Sequence, residues 1–179
     1  MVNDIEIKIG KAHIKEIKKL YKSAFPSNER APFFLLKKRM QEDICQFANI
    51  YYKDNFVGFF YLLGDESLEY IFYFAIEKEF RHKGIGSTAL QKLNNLFKDK
   101  KLFLAMEPID PNAPNIDERE ARLAFYESNG YSMLNRRVKE GPMIYELLGL
   151  NCDISKEEYN NLIYRFTHDR YKKYVGMID

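Results

Sequence analysis

Two cysteines, Cys45 and Cys152, stand far apart in 179 residues, so neither a disulfide framework nor a metal-spaced thiol pair is available. Reduced cytosol suits such a chain. Neither charge is in large excess, with 28 Lys plus Arg against 26 Asp plus Glu, which removes the electrostatic case for a nucleic-acid partner. No uncharged run approaches the roughly 20 residues that span a bilayer, and the opening Met-Val-Asn-Asp-Ile-Glu lacks a basic segment followed by an apolar one. These absences predict an unprocessed cytoplasmic protein with no membrane partner. His13, His82 and His168 have no ligand spacing, so no metal is expected. Repeats, low-complexity tracts and long linkers are missing too. One domain over 1–179 is the expectation, large enough to bury about 70% of its unfolded surface.

What is present centres on 68–96. From Leu68 to Ile76 the chain is aromatic and β-branched without proline or glycine, which predicts a strand buried on both faces. Glu77, Lys78 and Glu79 break the apolar run, and Arg81-His82-Lys83-Gly84-Ile85-Gly86 follows. Ile85, Ala89, Leu90, Leu93, Leu96 and Phe97 then recur at helical spacing, predicting a helix from Ser87 to about Asp99. The glycines therefore sit at a helix N-terminus. Unpaired amides there carry roughly +0.5 of a charge, glycine lets a phosphate approach the backbone, and Arg81 and Lys83 add charge. A pyrophosphate ligand is the natural inference.

Elsewhere the pattern predicts a first strand at 4–10 and a helix with Ile14, Ile17, Leu20, Tyr21 and Ala24 on one face. A second helix through Phe33, Leu36 and Met40 follows the charged, proline-flanked loop Phe25-Pro26-Ser27-Asn28-Glu29-Arg30-Ala31-Pro32. Strands near 47–52 and 56–63 join the one from Leu68 through turns too short for anything but an antiparallel meander. Lys101 to Glu107 forms a strand parallel to the one at 68–76, with the intervening helix as a right-handed crossover. Asp117 with Glu120 suggests a capping box for a helix stopped by Gly130, with Ala121, Ala124, Phe125 and Ser128 inward and Arg119, Arg122 and Tyr126 on a separate stripe. A hairpin spans 131–148, and Ser155 with Glu158 caps a last helix, the core of a C-terminal helical extension at about 151–179.

Two motif readings compete for the glycine turn. Gly84-x-Gly86-x-x-Ala89, with Glu107 about 20 residues on, matches a dinucleotide fingerprint and would imply an oxidoreductase. Seven residues, five of them charged, separate Ile76 from Gly84, however, and too few strand and helix repeats follow. Read from Arg81, the pattern Arg-x-x-Gly-x-Gly within FAIEKEFRHKGIGSTAL resembles the acetyl-CoA loop of the GNAT N-acetyltransferase superfamily, and ARLAFYESNGY (121–131) is similar to its Phe-Tyr-x-x-x-Gly-aromatic segment. By element order the resemblance covers roughly residues 4–148.

The resemblance implies an α/β (α+β) GNAT fold: a mixed, mostly antiparallel sheet of six to seven strands with a central parallel pair, flanked by helices on both faces. It implies acetyl-CoA as co-substrate and a primary amine of a small molecule or peptide as acceptor. A coenzyme-binding module without turnover stays open, as does a homodimer, common in this superfamily. The coenzyme would meet the backbone of Phe74, Ala75 and Ile76, the loop Arg81, His82, Lys83, Gly84, Ile85, Gly86 and Ser87, and then Arg122 and Tyr126. Many members carry Asn and Ala where this chain has Arg119 and Arg122, so one usual amide contact to the coenzyme is absent. Tyr126 is the candidate general acid, since a phenol of reference pKa about 10 can protonate a departing thiolate of about 8.5. A lysine-like amine of pKa about 10.4 is neutral in only about one molecule in 2,500 at pH 7, so a base is useful. Glu107 is the first candidate and Glu69 the second; Glu29 and Arg30 are candidates for acceptor binding.

Overall fold

The computed structural model describes residues 2–168 and 171–178. Eight strands form one sheet: β1 (Ile5–Ile9), β2 (Cys45–Tyr52), β3 (Asn55–Gly64), β4 (Leu68–Ile76), β5 (Lys101–Met106), β6 (Tyr131–Glu140), β7 (Met143–Leu150) and β8 (Val175–Met177). Their order is β1-β2-β3-β4-β5-β7-β6-β8. Among the described residues only β4 and β5 pair in parallel. The helices are α1 (Ile14–Ala24), α2 (Phe33–Arg39), α3 (Ile85–Leu96), α4 (Ile116–Ser128) and α5 (Lys156–Thr167). Among the described residues no helix is long and apolar enough to cross a membrane.

Two cores sandwich the sheet, because successive strand residues point to opposite faces. Phe59 and Tyr61 of β3 pack with Ile17, Leu20 and Tyr21 of α1, Leu36 of α2 and Leu162 and Ile163 of α5. Phe60 and Leu62, one residue along, pack with Ile85, Ala89, Leu90 and Leu93 of α3. This explains why β3 and β4 read as unbroken apolar runs. The β2–β3 turn is closed by Lys53 and Asp54, both at positive φ (49° and 64°), which gives a hairpin twist matching the strands.

Four sequence expectations change. The sheet has eight strands rather than six or seven: beyond α5 the C-terminal segment adds β8, which pairs with β6. At three residues it is too short to show an alternating pattern. Of the segment assigned to 151–179, residues 169, 170 and 179 lie outside those described. Helix α3 starts two residues early, so Gly84 is its N-cap and Gly86 lies in its first turn.

Helix α4 has no Asp117–Glu120 capping box; Asn115 is its N-cap, and the Asn115 side chain is drawn instead to Glu107 and Arg119. Its inward face also differs. Ala121, Ala124 and Ser128 are exposed, whereas Arg119, Arg122, Leu123, Phe125 and Tyr126 are half-buried.

The expected cap of α5 is present: Glu158 N donates to Ser155 Oγ (3.2 Å) and Ser155 N to Glu158 Oε2 (2.8 Å). Ser155→Ala should therefore lower unfolding free energy by about 1 kcal/mol, read as a reduced urea midpoint at unchanged slope.

Candidate active site

The parallel ladder between β4 and β5 runs from Leu68↔Lys101 to Ile71↔Leu104 and then stops. At that point the β3–β4 register shifts between Tyr61 and Leu62, leaving Phe72 as a bulged residue. Past the bulge β4 stays with β3 as far as Gly58↔Ile76, while β5 stays with β7 as far as Met106↔Glu146. The two strands diverge into a gap. Glu77 N donates to Val57 O (2.8 Å), so alternation along β4 turns the backbone of Ala75 toward β3 and the amides of Phe74 and Ile76 toward the gap. Of the three backbone positions expected to meet the coenzyme, Ala75 thus faces the other way.

Where β4 ends, a 3-10 turn (Lys78–Phe80) leads into Arg81, His82 (φ 58°) and Gly84 (φ 75°). Thr88 N makes the first bond of α3, to Gly84 O (3.0 Å), and no side chain caps the helix. Among the described residues the amides of Ile85, Gly86 and Ser87 therefore have no protein acceptor, and Arg81 to Gly84 are exposed beside them. Arg81 does more than add charge. Its Nε donates to Ile76 O (2.8 Å), tying the loop to the end of β4. Lys83 Nζ sits 5.6 Å from the Phe80 ring centroid. Near the chain's beginning Val2 N donates to Thr88 Oγ1 (3.1 Å), a neighbour that no local pattern announced.

Helix α4 crosses the same end of the sheet. Asn129 joins it to the first turn of α3 through Nδ2, which donates to Ser87 Oγ (3.3 Å) and Phe125 O (2.7 Å). The Tyr126 ring packs edge-on to Phe125 and Tyr131 at centroid distances of 5.3 and 6.0 Å. Its hydroxyl makes no hydrogen bond among the described residues; burial pushes the phenol up to about 12, opposed by Arg122. It is a protonated donor without a partner.

Glu107 follows β5 at the mouth of the gap and is 5% exposed. Its carboxylate accepts from Asn115 Nδ2 (3.1 Å) and pairs with Arg122 Nη1 and with Arg119 Nη2 (3.3 Å). Burial raises its pKa, but the Asn115 hydrogen bond and the two guanidinium groups outweigh that, and the carboxyl lies below its ordinary range. A carboxylate so engaged is a weak proton acceptor; its geometry suits it to fixing the two arginines. Glu69, the other expected base, is buried on the paired half of β4, bonded to Lys100 Nζ (2.8 Å), and burial raises its pKa. Seven residue steps along the strand, about 23 Å, separate it from Ile76. It is not part of this site.

The loop between α1 and α2 packs on the open half of β4. Tyr73 Oη accepts from Ala31 N (3.0 Å) and donates to Glu29 O (3.0 Å). Glu29 is half-buried within electrostatic reach of Glu107, Arg119 and Arg122. Arg30 points elsewhere, donating to Lys22 O (3.1 Å) at the end of α1.

Because the folded-state pKa of Glu107 lies below the unfolded value of 4.5, its pairing contributes fully above that pH and is lost as pH falls through the folded value. Glu107→Gln should cost about 2 kcal/mol at pH 7. In urea melts its deficit against the wild type should shrink toward zero well below pH 4.5.

Comparisons with known proteins agree with this architecture. Residues 43–133, more than half of the chain, match the family described as the acetyltransferase (GNAT) domain. No curated protein matches by sequence. Similar solved structures include a GNAT-family protein from Bacteroides thetaiotaomicron (TM-score 0.72, 18% identity, 94% of this chain and 98% of that one). Another is a GNAT acetyltransferase from Elizabethkingia anophelis with acetyl-CoA bound (TM-score 0.61, 16% identity, 84% and 100%). A third is the ribosomal-protein alanine N-acetyltransferase of Escherichia coli (TM-score 0.63, 16% identity, 86% and 97%). At such identities the likeness speaks for the fold, and the domain match speaks for the family: the chain belongs to the GNAT acetyltransferases.

Proposed function

We propose that this protein, as a single catalytic domain, transfers the acetyl group of acetyl-CoA directly to a primary amine of a small molecule or peptide. The observation that carries this reading is the uncapped N-terminus of α3 set beside a gap between two parallel strands. The amides of Ile85, Gly86 and Ser87, with His82, Lys83 and Gly84 around them, would hold the pyrophosphate as a helix N-terminus holds any anion. Arg81 would add a charge while its Nε keeps the loop on Ile76. The pantetheine arm would lie in the gap against the backbone of Phe74 and Ile76, pairing as an added strand does. Arg122 and Tyr126 would flank the thioester.

Amine attack on the thioester carbonyl forms the N–C bond, and an amide N–H near Ile76 can stabilise the oxyanion. The C–S bond then breaks, and the Tyr126 phenol, held protonated by burial, delivers a proton to sulfur. No covalent enzyme intermediate is required. Glu29, whose backbone is held by Tyr73 of β4, would lie on the acceptor side of the cleft, whereas Arg30 is turned to Lys22 O. The Escherichia coli neighbour is named for an alanine of a ribosomal protein, which supports the peptide arm of the acceptor class.

Calorimetry should show acetyl-CoA binding at micromolar affinity and no NAD binding. Thiol release over a panel of amines then separates an enzyme from a coenzyme-binding module, which binds without turnover. Tyr126→Phe should lower turnover more than tenfold while coenzyme affinity stays nearly constant; an unaltered rate removes Tyr126 from the mechanism. Gly84→Val, at a φ of 75° where a side chain is strained, should abolish acetyl-CoA binding, and retained affinity would overturn the loop assignment.

A further inference from the structure

We propose that Glu29 is the carboxylate that takes the proton from the acceptor's ammonium group. The inference rests on the acetyl-transfer reading above and adds the base that reading lacks. Of the three candidate carboxylates, Glu107 is committed to Arg119, Arg122 and Asn115, and Glu69 lies away from the gap at the far end of β4 beside Lys100. Glu29 alone of these three has no hydrogen bond or ion pair for its carboxylate among the described residues, although it is half-buried. An unpaired carboxylate partly removed from water is costly to keep, and an incoming ammonium would repay that cost.

Its backbone is held in place. Pro26 O accepts from Glu29 N (3.1 Å), closing a turn, and Tyr73 Oη donates to Glu29 O (3.0 Å). The neighbouring Ala31 is clamped by Tyr73 through its N–H (3.0 Å) and by Tyr21 through its carbonyl (2.8 Å). Tyr73 belongs to the stretch of β4 that has left β5, so the loop is anchored on the wall of the gap itself.

The groups facing Glu29 are Glu107 from the end of β5, Arg119 and Arg122 from α4, Tyr73 from β4 and Tyr145 from β7. Burial and then the Glu107 charge raise the Glu29 pKa, against the two arginines, moving it toward the range in which a base works near neutral pH.

The proton balance is complete. One N–H bond of the ammonium breaks as an O–H bond forms on Glu29, and that proton later passes to water. The neutral nitrogen attacks the thioester carbon. A second N–H proton leaves the tetrahedral adduct as the C–S bond breaks, and one proton arrives on sulfur through Tyr126, which is reprotonated in turn. The products are the amide, the free thiol and one proton.

The test measures thiol release from acetyl-CoA by wild type, Glu29→Gln and Glu29→Asp with two probe amines: propylamine, protonated at neutral pH, and hydroxylamine, already neutral there. Glu29→Gln should lose about 100-fold in kcat with propylamine and remain within about threefold of wild type with hydroxylamine. Acetyl-CoA affinity should be unaltered, Glu29→Asp should recover part of the rate, and the acidic limb of the propylamine pH profile should vanish in the Gln variant. Equal loss with both amines, or no loss with either, overturns the assignment. Should wild type accept neither probe, carbon-13 titration of the Glu29 carboxyl decides. A pKa above 4.5 that shifts on adding propylammonium supports the proposal, and an ordinary value insensitive to it refutes it. Absent acetyl-CoA binding in wild type would instead sink the acetyl-transfer reading, whereas normal binding and turnover indifferent to Glu29→Gln would sink this inference alone.

Discussion

The hydrogen-bond ladder between β4 and β5 ends at Ile71↔Leu104, and the site depends on that interruption. Two parallel strands buried in a sheet would ordinarily pair along their full length, because unpaired interior amides are costly. Here each strand keeps another partner, β3 for β4 and β7 for β5, so separation leaves only one side of each unpaired. The bulge at Phe72 bends β4 where the ladder stops, and the right-handed twist of the sheet carries the strands further apart. A ligand that supplies hydrogen bonds to the exposed amides restores what the missing ladder removed.

Below the bulge the strand is braced. Tyr70 stacks on Phe103 across the paired strands (centroids 4.7 Å, 8° between planes) and donates to Glu140 Oε1 (2.7 Å). Tyr159 of α5 donates to the same oxygen (2.5 Å), so the C-terminal helix is fastened to the closed half of the parallel pair. Burial raises the Glu140 pKa, against the two tyrosine hydrogen bonds. Stiffness under the opening and freedom above it come from adjacent residues of one strand.

Helix α4 is held differently from the others. None of its residues is fully buried, and its inward face offers Arg119 and Arg122 to Glu107 beside the half-buried Leu123, Phe125 and Tyr126 that pack on the core. Tyr126 is held beside these ion pairs by its edge-on contacts with Phe125 and Tyr131. The expected inward face of Ala121, Ala124 and Ser128 assumed that small apolar residues mark burial. That rule fails on α4, whose half-buried face carries Leu123, Phe125 and Tyr126 with two arginines.

Periodicity and punctuation in the sequence determined the elements: the run from Leu68 to Ile76, the glycines opening α3, the cap at Ser155 and Glu158, and the order that makes β4 and β5 parallel. These are local properties, written in side-chain spacing and backbone freedom. Tertiary structure alone decided where the parallel ladder breaks, that Ala75 turns away from the gap, that Glu107 is bound by arginines 12 and 15 residues further on, and that Glu29 comes to rest on Tyr73. A bulge, an ion pair and a loop docking depend on what lies opposite in space, and no window along the chain contains both partners.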